Sequence, residues 1–195
     1  AGVLMLPNVD SVFKIPARIA ESSLMTILNT FTCNVALPQL DIWADLAQRQ
    51  NKTHRESVIV GLVAKYMDNE DTYLSVTEAL RAAAWAENVG LTIKWINAET
   101  AAKRDFANVD ALLVPGGFGV RGVDGKIAAA TYALEHDTPY LGICLGLQTA
   151  VIAAARRAGL TDAHSTEFDS ATTHDVVYIM PGQEGKELTG GTLRL

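Results

Sequence analysis

From Ser57 onward the chain alternates β-rich runs with helical runs, and that alternation limits what it can fold into more than any other feature. Ser57 to Val63 reads as a strand, and Tyr73 to Asn88 as a helix with Asp71 or Thr72 as its N-cap and Gly90 near its C-terminal stop. Leu91 to Asn97 alternates apolar and polar residues as a half-buried strand does. Ala111 to Val114 is a third strand, followed by a glycine-rich loop and a helix from about Lys126 to Glu135. Tyr140 to Ile143 is a fourth, followed by a helix from about Leu147 to Ala158. Strands separated by helices pair in parallel, so the expected fold class is α/β: a mostly parallel twisted sheet flanked by helices. Sites in such sheets sit at the carboxyl ends of the strands.

The residues ahead of Ser57 have a different texture. Val3 to Leu6 is a short apolar run, Asn8 to Ser11 a turn-like cluster, and Arg18 to about Asn29 an amphipathic stretch. Pro38 and the polar run 48–53 flank a short helix expected over Asp41 to Gln48. Residues 1–37 are too few for a domain, 38–56 read as a linker, and 57–195 read as the α/β domain. The chain opens on Ala1-Gly2-Val3 without Met and closes on Gly190-Gly191-Thr192-Leu193-Arg194-Leu195, which resembles the start of a strand. A fragment is expected, with the α/β domain truncated at its C-terminus.

Composition narrows the function classes. With 49% hydrophobic and 19% charged residues, and no apolar run near the roughly 18 residues of a membrane span, no membrane role is expected. The net charge of -6, with Lys and Arg scattered, gives no footprint for nucleic acid. The two cysteines, Cys33 and Cys144, supply neither a disulfide framework nor zinc-ligand spacing, so no metal site is expected and a reducing, cytoplasmic setting is the default.

Two loops after strands carry unusual chemistry. In Pro115-Gly116-Gly117-Phe118-Gly119 the glycines allow backbone N–H groups to approach a developing negative charge, although a tight β-to-α turn is the better explanation of that loop when it stands alone. Gly142-Ile143-Cys144-Leu145-Gly146 fits the nucleophile-elbow pattern G-x-S-x-G with Cys in place of Ser, between a strand and a helix. The turn would lift Cys144 above the sheet edge to a helix N-terminus, whose partial positive charge favours a thiolate. Leu145 N–H would be one oxyanion donor and Gly117 N–H a second. The competing reading is an inert buried thiol, and the two loops at adjacent strand ends favour the nucleophile. Cys33, in Thr32-Cys33-Asn34, has no such setting and reads as structural.

Leu113 to Gly122, Tyr140 to Gln148, Ser165-Thr166-Glu167-Phe168-Asp169 and Gly190 to Leu195 together resemble the glutaminase domain of the CTP synthases, a class I, flavodoxin-like glutamine amidotransferase. Gly61 to Tyr66 and Tyr73 to Leu80 resemble that domain's first strand and helix, and Val9 to Pro16 the tail of its synthetase domain. The resemblance implies that Cys144 attacks the amide of L-glutamine and that Gly117 and Leu145 form the oxyanion hole. It implies that Gly117, Leu145, Gly146, Leu147, Gln148 and Glu167 bind glutamine, Glu167 through the α-ammonium group. Phe118 to Gly125 resembles a lid; Arg121 is open between a lid residue, an allosteric GTP contact and a solvated charge. It also implies a synthetase domain that uses ATP and Mg to aminate UTP to CTP with the released ammonia, GTP as an activator, and assembly into homo-oligomers (dimers, tetramers or filaments). No cofactor is expected in this segment itself. Two other readings stand beside it: a non-catalytic glutamine-binding or assembly module, and a different elbow-bearing cysteine hydrolase.

The same resemblance asks for a His and a Glu in H-x-E spacing downstream of Cys144. His136, His164 and His174 lack it. His54-Arg55-Glu56 has it but precedes the strand 57–63, which separates it from the sheet's carboxyl edge by roughly 20 Å at about 3.3 Å per residue, whereas a base works within about 3 Å. The base is expected beyond Leu195, and the 195-residue chain alone is expected to be inactive.

Overall fold

The computed structural model describes residues 5, 7–32, 39–53, 56–178 and 182. The readings placed on Cys33, His54 and Gly190 to Leu195 lie outside the described residues. The chain divides into two compact units, Ala1–Ser57 with Leu80–Gly90, and Val58–Ala79 with Leu91–Leu195.

The first unit is helical. The Ser11 side chain accepts from Phe13 N–H at 3.2 Å and starts a 3-10 turn, Val12–Lys14, which leads into α1 (Ile15–Ala20) with Pro16 in its first turn. The single amphipathic stretch expected over 18–29 is instead broken in two. Ser22 Oγ donates to Ile19 O at 2.6 Å and accepts from Leu24 N–H at 3.2 Å, and this local bonding ends α1 and opens α2 (Leu24–Phe31). Helix α3 (Asp41–Gln50) extends two residues beyond the expected end. Phe13 stacks on Trp43 with ring centroids 6.4 Å apart and meets Trp85 edge-on at 5.5 Å.

The second unit is the α/β body. Its strands are β1 (Ser57–Ala64), β2 (Gly90–Asn97), β3 (Ala111–Val114) and β4 (Tyr140–Gly142), in sheet order β2-β1-β3-β4. Strand β3 pairs in parallel with β1, Leu62 opposite Leu113, and with β4, Val114 opposite Gly142. This is the flavodoxin-like order, in which the chain switches direction across the sheet beside β1. Leu62, Val63, Ala64 and Val114 are wholly buried, the all-apolar run that covered faces demand of a parallel strand.

Helix α4 (Leu74–Glu87) follows a 3-10 turn, Glu70–Tyr73, that contains the expected caps Asp71 and Thr72 and is itself capped by Asn69, whose side-chain oxygen accepts from Asp71 N–H at 3.0 Å. Helix α5 (Val123–Glu135) starts three residues earlier than expected because Gly122, at φ 73°, turns the chain directly into it. Helix α6 (Leu145–Arg157) likewise starts at Leu145, not Leu147. A short pair, β5 (His164–Ser165) and β6 (Asp175–Val177), follows.

Two apolar clusters hold the body together. Phe106, fully buried, packs with Val63, Ile96, Leu112, Val114 and Ala129 of the sheet and α5. Val123, Ile127 and Ala130 of α5 meet Leu145, Ile152 and Ala153 of α6, with Phe168 against them. Phe106→Ala is expected to cost about 3–5 kcal/mol through lost burial and the cavity left behind, read as reduced protection of the β3 amides against hydrogen exchange.

Candidate active site

Strand β4 ends at Gly142 and α6 begins at Leu145, so two residues must reverse the chain from sheet to helix. Cys144 absorbs the reversal at φ 54°, ψ -113°, a conformation that strains a residue with a side chain. The glycines around it are steric requirements. A Cβ on Gly146 would stand 1.9 Å from Val114 O, and one on Gly142 would stand 2.5 Å from Gly146 C and O. Tyr140 Oη and Thr149 Oγ1 both donate to Gly146 O, at 2.8 and 2.9 Å, fixing the start of α6. Burial pushes the Tyr140 hydroxyl up to about 12 against a smaller opposing effect of its Thr149 contact, so it remains a donor. Cys144 itself is exposed.

The glycine loop lies against this turn. A Cβ on Gly116 would be 3.3 Å from Cys144 Cβ and 3.7 Å from Sγ. Among the described residues the N–H groups of Gly116, Gly117 and Leu145 meet no acceptor, so they are available to a ligand. The loop's carbonyls are engaged from the other side. Lys126 Nζ donates to Pro115 O at 2.7 Å and to Gly116 O at 3.1 Å, and Lys65 Nζ donates to Phe118 O and, at 3.2 Å, to Gly119 O. Lys126 is fully buried. Burial, then the adjacent Lys65 charge, pulls it down to about 8, against a smaller opposing pull from Cys144.

The two lysines went unnoticed in the sequence because each reads as an ordinary element end. A signal was nonetheless present: Lys126 shares its helix face with Ala129, Ala130 and Ala133, all buried. A lysine in register with an apolar stripe is a buried charge that must find oxygen partners.

Of the other expected site residues, Leu145 and Gly146 are buried, Gln148 is half-buried and Leu147 exposed, all in the first turn of α6. Glu167 is exposed on the turn after β5, where its N–H donates to Ser165 Oγ at 3.2 Å. Phe168 next to it packs on the cluster containing Leu145, which ties that turn to α6. Phe118 is 81% exposed. Arg121 pairs with Glu99 at 3.3 Å on the rim of a polar cleft of about 430 Å³ that also includes Lys65, Asp68 and Asn97. His136 stacks on Tyr132 at 4.0 Å, His164 Nδ1 accepts from Ser165 N–H at 2.9 Å, and His174 pairs with Asp162. Among the described residues no histidine bonds to Cys144, and no cluster of His, Cys, Asp or Glu could hold a metal ion. No described helix is long and apolar enough to cross a membrane.

The family described as Glutamine amidotransferase class-I matches residues 69–195, the stretch that contains both loops and the elbow. The chain belongs to the class I glutamine amidotransferases. Its relatives include the CTP synthase of Corynebacterium kroppenstedtii, 44% identical over 207 residues that cover 100% of this chain and 37% of the relative. The CTP synthase of Thermus thermophilus is 42% identical over 199 residues, covering 99% and 36%. The chain thus spans little more than a third of the length of these relatives. Among solved structures, the glutaminase domain of Trypanosoma brucei CTPS with bound acivicin superposes with a TM-score of 0.61 at 39% identity, covering 66% of this chain and 52% of that one. The amidotransferase match and the sheet order agree on the fold that the strand–helix alternation implies.

The buried Lys126 has a measurable signature. Between about pH 8 and its ordinary value of 10.5, the unfolded chain holds a proton that the folded chain has released, so stability rises with pH across that window. Wild type is expected to gain stability over that range relative to Lys126→Met, read as the difference between their urea midpoints at pH 7.5 and 10.5.

Proposed function

We propose that this chain is the glutamine-hydrolysing part of a CTP synthase. The observation that carries the reading is Cys144 at φ 54° between two obligatory glycines, set against Gly116 and the start of α6. The Cys144 thiolate attacks the amide carbon of L-glutamine, and the negative charge passes to the amide oxygen, held by Leu145 N–H and Gly117 N–H. Collapse of that intermediate expels ammonia, with a proton delivered to the leaving nitrogen, and water then cleaves the γ-glutamyl thioester to glutamate. Gln148 and the backbone of Gly146 and Leu147 line the substrate, and the Glu167 carboxylate receives its α-ammonium group. Phe118, exposed at the tip of the glycine loop, closes over the bound substrate as a lid, with Arg121 at its base.

In the same reading, residues 1–37 are the end of a synthetase domain and 38–56 the linker from it. That domain consumes UTP and ATP and takes up the ammonia, so the full-length protein is an ATP-dependent, cytoplasmic ligase that forms homo-oligomers and responds to GTP. The acivicin bound to the glutaminase domain of Trypanosoma brucei CTPS supports a ligand site in this fold. One observation favours a second reading, a glutamine-binding module without turnover: among the described residues the histidines are engaged away from Cys144. In the glutaminase reading the triad base is supplied from outside the described residues.

Ammonia release from glutamine by the full-length protein tests the choice. Cys144→Ala is expected to lower it by at least about 10⁴-fold, the scale of losing a covalent nucleophile, and the 195-residue chain alone to show negligible turnover. Undiminished release in Cys144→Ala would remove Cys144 from the chemistry. Glutamine binding without release in the intact wild type would favour the binding module.

A further inference from the structure

The Gly116–Gly117 peptide is the one unit of the site that the backbone alone cannot hold. Turning a peptide plane over requires large opposed changes in ψ of one residue and φ of the next, and with no Cβ on either side those changes meet little steric resistance. An oxyanion donor at Gly117 therefore needs a tether on the far side of the plane. That tether is present. In a trans peptide the C=O and N–H point in opposite directions, and the chain has no cis peptides among its described residues. With Gly116 O drawn at 3.1 Å to the buried Lys126 ammonium, Gly117 N–H is directed away from the core, on the open side of a loop whose Gly116 stands against Cys144.

We propose that Lys126 is a positioning residue, whose ammonium fixes the Gly116–Gly117 peptide in the orientation that presents Gly117 N–H as an oxyanion donor. The proposal rests on the reading of Cys144 as the glutaminase nucleophile. Lys126 sits one turn into α5, is wholly buried, and among the described residues has carbonyl oxygens and no carboxylate as partners. A position that only filled space would be served by methionine, without the desolvation of a charge. The charge also lies beside a second one, Lys65, which holds the next carbonyls of the same loop, Phe118 O and Gly119 O. Two like charges under one loop oppose stability, and what they have in common is the direction in which they point its carbonyls. Burial, then the neighbouring Lys65 charge, disfavours the charged form of Lys126, and Cys144 opposes them with a smaller effect.

A direct action of the Lys126 charge on the thiolate is the competing role, and the two separate experimentally. Alkylation of Cys144 by iodoacetamide needs the thiolate but forms no oxyanion, whereas glutamine hydrolysis needs both. In the full-length protein, Lys126→Met is expected to lower kcat for ammonia release by about 10- to 100-fold, approaching the loss of one oxyanion donor. The KM for glutamine and the rate of Cys144 alkylation are expected to stay within about threefold of wild type, because ground-state binding is untouched and the interaction with Cys144 is the smallest of those acting on the Lys126 charge. An unchanged kcat, or an alkylation rate that falls in parallel with kcat, would overturn the proposal. If the Met variant no longer unfolds cooperatively, Lys126→Leu, which likewise cannot donate to the Gly116 carbonyl, reads the same ratio with the same outcomes. A wild-type protein that releases no ammonia at all is a separate result: it defeats the glutaminase reading and the role of Lys126 with it.

Discussion

The close approach of α6 to the end of β3 governs this molecule. Gly146 stands so near Val114 that any side chain there would collide with the Val114 carbonyl. Because the helix must begin at that distance, the link from β4 has no room for a gradual turn. The strain collects on Cys144, and the side chain is thrust out at the end of the sheet. Tyr140 and Thr149 then secure the Gly146 carbonyl with two hydroxyls, so the packing that creates the strain also prevents its relaxation. The position of the Cys144 side chain is in this sense a consequence of interlayer distance.

The glycine loop is held by a different kind of force. The elbow is set by contact distances, but the loop, rich in glycine, has few side chains with which to pack. Its carbonyls are bound by the ammonium groups of Lys65 and Lys126, two cations close together and mostly removed from water. Such an arrangement gives up stability for orientation. Among the described residues, steric fixation of the elbow and electrostatic fixation of the loop leave the Gly116, Gly117 and Leu145 N–H groups without an acceptor, next to an exposed thiol.

The parts of this design that were legible from residues alone are those set by backbone chemistry. Gly142 and Gly146 flanking a cysteine announce a turn that no other residue can make, and the strand–helix alternation from Ser57 places that turn at a sheet edge. The exact start of α6 was not legible, because Leu145 and Gly146 read as part of the turn until the hydroxyls of Tyr140 and Thr149 are seen to fix them in the helix. Lys126 was missed for a related reason. Its partners are backbone oxygens ten and eleven residues away, and no side-chain pattern advertises a carbonyl. Ser22 divides the amphipathic stretch between two helices by bonding its own neighbours, a competition that hydrophobic periodicity does not register.

We infer that the elbow makes Cys144 a nucleophile toward the amide of glutamine. Acid quenching of the full-length protein during turnover of radiolabelled glutamine, followed by peptide mapping, tests it most directly, since a γ-glutamyl thioester survives acid. The account requires label on the peptide carrying Cys144 and none on that carrying Cys33. Turnover without covalent label, or label on Cys33, would contradict it.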